Sequence, residues 1–182
     1  MTIRPRTPTD VPGLVEVMGS QQAATRYPVR WPPPFPPEDF IVRSGEIGAW
    51  VAEVDGRLAG HVSARRVPVI PEDTSAGDEA AIWSAGTGLP VARLGSISAL
   101  FLATWATGRG LGAALHDVAV EALREAGLTP VLDVTQNNAP ALALYRSRGW
   151  QEVGSGRPHW LPADWDDVLY FVLPPPVDAP VG

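Results

Sequence analysis

The sequence predicts a single α/β (α+β) domain: a mixed, mostly antiparallel central sheet of about six to seven strands with helices on both faces. Three observations carry that prediction. Asp55-Gly56 joins two strand-like stretches, Gly48 to Val54 and Leu58 to Val67, and an Asp-Gly step between such stretches is a strong hairpin signal. From Leu111 to Ala126, Leu111, Ala114, Leu115, Val118, Ala119, Ala122 and Leu123 recur at helical spacing between two apolar runs, the pattern of a parallel strand–helix–strand unit. The length of 182 residues suits one domain with a sizeable core, and the chain shows no internal repeat.

Each element has its own local reason. Thr2 to Arg6 reads as a first strand. Pro8-Thr9-Asp10 resembles a helix start, with Thr9 or Asp10 as cap, Pro12 in the first turn, and Leu14, Val15, Val17 and Met18 as the apolar side. Arg26 to Pro37 carries too many prolines for a regular helix or central strand, and Phe40 to Val42 reads as a short turn of helix. After the hairpin, Pro71 to Pro90 holds Glu72, Asp73, Asp78 and Glu79 and no Lys or Arg; it reads as an acidic insertion with a short helix near Glu79 to Trp83. Arg93 to Leu102 is apolar enough for a central strand. Gly127 is placed to end the helix that follows, and Pro130 to Thr135 reads as a buried strand. Ala139 to Arg148, with Pro140 in its first turn and Gly149 at its end, is a second helix. Trp150 to Val153 and Val168 to Leu173 are the last strands. The domain is expected to span 1–174, with the Pro-rich tail 175–182 loose.

Composition excludes several function classes. A formal net charge of -6 argues against general affinity for nucleic acid. With no cysteine there is no disulfide, thiolate nucleophile or cysteine-ligated metal. His61, His116 and His159 have no metal-ligand partner at suitable spacing, so no metal is expected; His116 reads as helix surface. No basic–apolar–small leader opens the chain, and no apolar stretch is long enough to span a bilayer. A soluble, cytoplasmic protein with no membrane partner is the expectation.

The chemistry is concentrated in Thr107-Gly108-Arg109-Gly110-Leu111-Gly112-Ala113-Ala114. A strand that ends in glycines and opens a helix presents a row of free backbone N–H groups at the positive end of the helix dipole, which is a phosphate cradle. No Gly-Lys-Ser/Thr follows, so the loop is not of the nucleotide-hydrolase type, and its mid-chain place does not suit a dinucleotide fingerprint. A second segment runs from Asn138 to Trp150.

The two segments together resemble the GCN5-related N-acetyltransferase (GNAT) superfamily. In that family a Gln/Arg-x-x-Gly-x-Gly/Ala loop is followed by a helix, a strand and an Asn-x-x-Ala-x-x-Leu-Tyr-x-x-x-Gly-Phe segment. Here Gly110 and Gly112 fit the first motif, and Asn138, Ala141, Leu144, Tyr145 and Gly149 fit the second. Thr107 stands in place of the Gln or Arg, and Trp150 in place of the Phe. The resemblance implies the acyl-CoA N-acyltransferase fold and acetyl-CoA as co-substrate. It assigns the cofactor site to Leu100, Leu102, Thr107, Gly108, Arg109, Gly110, Leu111, Gly112, Ala113, Asn138, Ala141 and Tyr145. Amides of about Gly108 to Ala113 would hold the pyrophosphate, and pantetheine would lie along the strand ending at Leu100 to Leu102, which requires that strand to part from Pro130 to Thr135.

The implied reaction is direct attack of an amine on the thioester, with Tyr145 as general acid for the departing thiolate. The base is open between Ser96, Ser98, Asp133 and ordered water. Arg109, Arg146 and Arg148 read as surface charge before 3′-phosphate ligands. Tyr27, Trp31, Phe35, Trp160 and Trp165 are candidates to line the pocket of a small-molecule or peptide amine; Glu72, Asp73, Asp78, Glu79, Asp164, Asp166 and Asp167 would draw a cationic one, although such acidic runs are more often solvated loops. Alternatives are a non-catalytic CoA-binding sensor and an acyltransferase using another acyl chain or a hydroxyl acceptor. Exposed strand edges are compatible with a homodimer.

Overall fold

The computed structural model describes residues 1–69 and 74–175, with the backbone alone for 74–78. The chain builds β1 (Thr2–Pro5), α1 (Val11–Thr25), α2 (Pro37–Ile41), β2 (Glu46–Val54), β3 (Arg57–Arg66), α3 (Thr74–Thr87), β4 (Leu94–Leu102), α4 (Leu111–Glu125), β5 (Thr129–Val134), α5 (Ala139–Ser147), β6 (Gln151–Gly156) and β7 (Val168–Val172). The seven strands form one sheet in the order β1-β2-β3-β4-β5-β7-β6. Every neighbouring pair is antiparallel except β4 and β5, the strand–helix–strand unit read from the sequence.

The last strand does not lie at the sheet edge; it inserts between β5 and β6. Hydrophobicity accounts for this. All five residues of β7 are buried, whereas β6, with Gln151, Glu152, Gly154 and Ser155, tolerates the solvated edge. The helix of the acidic segment is longer than expected, Thr74–Thr87 instead of a turn near Glu79 to Trp83. It is held by tertiary packing: Ala80 and Trp83 are buried with Leu94, Val131, Val168 and Tyr170, and the Trp83 indole donates to the Leu132 carbonyl at 3.2 Å. Glu72 and Asp73 lie outside the described residues, as does the tail from 176.

Alternation along the strands divides the core between two faces. Leu132, Val134, Leu169 and Phe171 pack with Leu115, Ala119 and Leu123 of α4 and with α5. Val131, Val168, Tyr170 and Val172 face α3, and Val51, Ala99 and Phe101 face Leu14 and Met18 of α1. Gly95 lets α4 approach β4 closely, since a Cβ there would meet Leu123 Cδ2 at 2.5 Å.

Candidate active site

Parallel pairing between β4 and β5 covers three positions, Leu94↔Thr129, Gly95↔Pro130 and Ser96↔Val131, and then stops. Both strands continue beyond it, β4 to Leu102 and β5 to Val134. The edge of β4 from Ile97 onward therefore faces β5 without a ladder, while its other edge stays paired to β3 as far as Gly60↔Leu102. This is the parting that the sequence reading required. Leu100 and Leu102 are half-buried along it.

Two tight turns separate β4 from α4. Thr104–Ala106 is a 3-10 turn, and Gly108 and Gly110 take left-handed φ values of 74° and 77°. Gly110 is the N-cap of α4 and makes no side-chain cap; the first helical bond is Ala114 N–H to the Gly110 carbonyl at 3.0 Å. Among the described residues, no protein acceptor takes the N–H groups of 108–113. Glycine supplies the φ > 0 that turns these amides outward, and the dipole of a 15-residue helix adds partial positive charge. The Thr107 hydroxyl donates to the Thr104 carbonyl at 2.8 Å, so it braces the loop in place of the longer side chain of the motif. Arg109 is exposed.

On the other side of the parting stand α5 and β5. Asn138 caps α5, its Oδ1 accepting the Ala141 N–H at 3.3 Å; the amide nitrogen takes no part in that cap. The Tyr145 ring is buried, between His116 at 6.1 Å and Trp150 at 5.9 Å. Its hydroxyl has no hydrogen-bond partner among the described residues, and no buried side-chain polar atom there lacks one, so the hydroxyl reaches open space. Burial, then the charges of Tyr27 and Asp133, push its pKa well above the ordinary phenol value. Asp133 lies on the β5 face opposite Leu132 and Val134, and the residue is exposed. Desolvation of its carboxyl pushes the pKa up, with Arg43 and Arg65 pulling the other way. A charged Asp133 bears on the protons of both Tyr27 and Tyr145, although the three come from separate segments.

Other candidates separate out. Tyr27 packs edge-on against Phe40 at 5.6 Å, and the Arg43 guanidinium lies 4.8 Å over the Phe40 ring. Trp31 rests on Gly19 of α1, Phe35 is exposed, and Trp160 packs in the α3 cluster. Trp165 carries the Arg26 guanidinium 4.4 Å above its ring and, with Gln136, Asn137, Asp164 and Asp166, lines a polar hollow of about 150 Å³ at the C-terminal end of β5. A hollow of about 590 Å³ beside α3, lined by Ala80, Ser84, Leu89 and neighbours, contains none of these residues. Ser98 Oγ is 2.8 Å from Ser63 Oγ, and Ser96 is buried. Arg146 is exposed, whereas Arg148 forms a two-pronged ion pair with Asp117 at 2.7 and 2.9 Å. Asp167 accepts from Arg157 at 3.0 Å.

His116 is not on the surface. It is buried, accepts the Trp150 indole N–H on Nε2 at 2.8 Å, and bonds Asp117 Oδ1 through Nδ1 at 2.8 Å. An indole can only donate, so this imidazole is neutral with its proton on Nδ1. Trp150 is thus more than a larger phenylalanine: its N–H ties α5 and β6 to α4. The spacing of His116 with Val120 and Leu123, at helical intervals on the apolar side, was the signal for burial.

His61 obeys the same logic, with Arg6 Nη1 3.2 Å from its Nε2. Burial lowers its pKa to about 4 and lowers that of His116 as well. Each is held below its unfolded value of 6.5, so the unfolded chain binds more protons. The stabilisation from neutral imidazoles is complete above about pH 6.5 and is lost as pH falls toward about 4. Asp10 and Asp117, held low by Arg4 and Arg148, act at still lower pH. In an Asp133→Asn background, which removes the opposing carboxyl, the melting temperature should therefore drop between pH 6.5 and 4; a flat profile there would show that neither ring is kept neutral.

Residues 18–150 match the model of the Acetyltransferase (GNAT) family, and the chain belongs to that family. It is an enzyme of the N-acetyltransferase class, whose members use acetyl-CoA. Its structure is similar to the ribosomal-protein-alanine N-acetyltransferase of Brucella melitensis (22% identity, TM-score 0.64, 95% of this chain and 99% of that one). It is also similar to a Streptococcus mutans UA159 protein (16%, 0.70, 95% and 98%) and to the ribosomal-protein-S18-alanine N-acetyltransferase of Escherichia coli (19%, 0.65, 95% and 92%). At such identities the likeness is one of fold. No curated protein matches the sequence. Among the described residues, no helix is long and apolar enough to cross a membrane.

Proposed function

We propose that the chain transfers an acetyl group from acetyl-CoA to a primary amine of a small molecule or peptide. The observation that supports this most is the parting of β4 from β5 after Ser96↔Val131, which leaves an unpaired strand edge running toward the turn that carries the amides of 108–113. In this reading the amides hold the pyrophosphate, and the β4 edge, with Leu100 and Leu102, receives the pantetheine amides as an added strand. Asn138 and Ala141 border the same arm. Acetyl-CoA, when bound, supplies the activated acyl carbonyl.

Asp133 would take one proton of the incoming ammonium; as the amine nitrogen bonds to the acyl carbon and the carbon–sulfur bond breaks, Tyr145 would give its proton to the thiolate and regain one from the new amide nitrogen. The two steps are linked. The negative charge of Asp133 is one of the causes that hold the Tyr145 proton. Once Asp133 is neutralised by the amine's proton, that hold weakens, so the base step prepares the acid step. The raised carboxyl pKa of Asp133 suits a proton acceptor better than an ordinary carboxylate would.

Titration calorimetry with acetyl-CoA and a panel of amines assayed for thiol release test the reading. Saturable binding with release on some amines is expected; an unaltered melting curve at saturating acetyl-CoA, with no release across the panel, rejects it. Tyr145→Phe should lower kcat by about tenfold, water replacing the phenol in part, with little change in acetyl-CoA affinity. Unchanged turnover would remove Tyr145 from the mechanism.

A further inference from the structure

The opened half of β4 contains an irregularity that the acyl-transfer reading leaves unexplained. Opposite β3, Ser98 pairs with Ser63 but Phe101 pairs with His61: three steps on β4 against two on β3. The extra residue flips the strand. Ile97 packs with α4, whereas Ala99 and Phe101 pack with α1 on the opposite face, although all three would share a face in an unbroken strand. Ala99 takes φ 49°, a left-handed conformation that is strained for a residue bearing a Cβ. Pairing with β5 ends at Ser96, just before this bulge.

The bulge is held by a buried relay. The Ala99 carbonyl lies 2.9 Å from His61 Nδ1, and the His61 ring is fully buried and stacked near Phe101 at 5.6 Å. Arg6 Nη1 lies 3.2 Å from His61 Nε2. A guanidinium has no acceptor, so Nε2 accepts, and the single ring proton sits on Nδ1, where it donates to Ala99. Arg6 is itself fixed by Glu46, at 2.6 and 3.0 Å, and by the Ile41 carbonyl at 2.7 Å. The relay runs from β2 through the end of β1 to the one segment of β4 that faces the parting. Tyr27 lies against the same Ala99 backbone from the α1 side.

We propose that His61 is a positioning residue for acyl transfer: with its tautomer set by Arg6, it holds the left-handed Ala99, and so the orientation of the β4 backbone that meets the acyl end of acetyl-CoA. This rests on the acyl-transfer reading. The glycine loop that would hold the pyrophosphate lies beyond the next turn and, among the described residues, shares no hydrogen bond with the relay, so positioning and cofactor grip are separable.

The test compares His61→Leu with His61→Asn, whose amide can donate to Ala99 in place of Nδ1–H. Three readouts are used: amide hydrogen exchange at 99–101, the Kd for acetyl-CoA, and kcat on an amine taken from the panel. In His61→Leu, exchange at 99–101 should quicken by at least about tenfold more than in the rest of β3 and β4, and kcat should fall at least about tenfold while Kd stays within about threefold. His61→Asn should recover most of both losses. Equal losses in the two variants, tracking the melting temperature and Kd, would reduce His61 to a core residue and overturn the proposal, as would a folded Leu variant with unchanged kcat. A wild-type protein that neither binds acetyl-CoA nor transfers acetyl overturns the acyl-transfer reading instead, while the exchange data still decide whether His61 holds the bulge.

Discussion

Asp133→Asn should lower kcat by about 10² to 10³-fold, the range for loss of a general base, while leaving the Kd for acetyl-CoA within about twofold. Asn keeps the shape of the side chain and its place on β5 opposite Tyr170, but cannot carry a proton away. The cradle at 108–113 lies on the far side of the parting and is untouched. A second readout separates chemistry from damage. The carboxyl of Asp133 is raised by its surroundings, so in the folded state its charge is unfavourable at neutral pH. For an acid with a raised folded pKa, stability is present below the unfolded pKa and falls as pH rises through the folded one. The uncharged Asn variant should therefore melt at or above the wild-type temperature at pH 7 while losing activity. In the wild type, kcat/KM should fall as pH drops through the Asp133 pKa, and that limb should vanish in the variant. A variant that keeps kcat within about threefold would assign proton removal to water.

Gly110→Glu should weaken acetyl-CoA binding by about a hundredfold, near 2.7 kcal/mol. Two effects add. Gly110 sits at φ 77°, where a side chain is strained, and a Cβ there meets nothing within 4 Å, so the cost is conformational and not a clash. The carboxylate then stands at the N-terminus of α4 among the amides offered to the pyrophosphate, satisfying them internally and repelling the ligand. Gly110→Ala carries the strain without the charge and should lose only a few-fold. Calorimetry on both variants separates the terms. If Glu and Ala weaken binding alike, charge at this helix end is irrelevant and the cradle is misassigned.

What could be read from the sequence was local. Helical spacing placed α4, Pro140 and Gly149 bounded α5, Asp55-Gly56 made the hairpin, and the glycines at 108, 110 and 112 located the loop, because each signal acts within a few residues of itself. The two motifs, each local, were enough to identify the family to which residues 18–150 belong. Contacts between distant segments had no such signature. That β7 displaces β6 from the interior depends on which strand has the more apolar faces once both compete for β5. The pairing of His116 with Trp150 spans 34 residues, and the grip of His61 on Ala99 spans 38. Nothing local told whether Asp133 is buried or exposed, because its exposure on β5 and its place beyond the end of the β4–β5 ladder depend on how the sheet pairs. A residue's type and neighbours in sequence set what it can bond; the tertiary fold sets the solvent, charge and partner it meets, and those decide its proton.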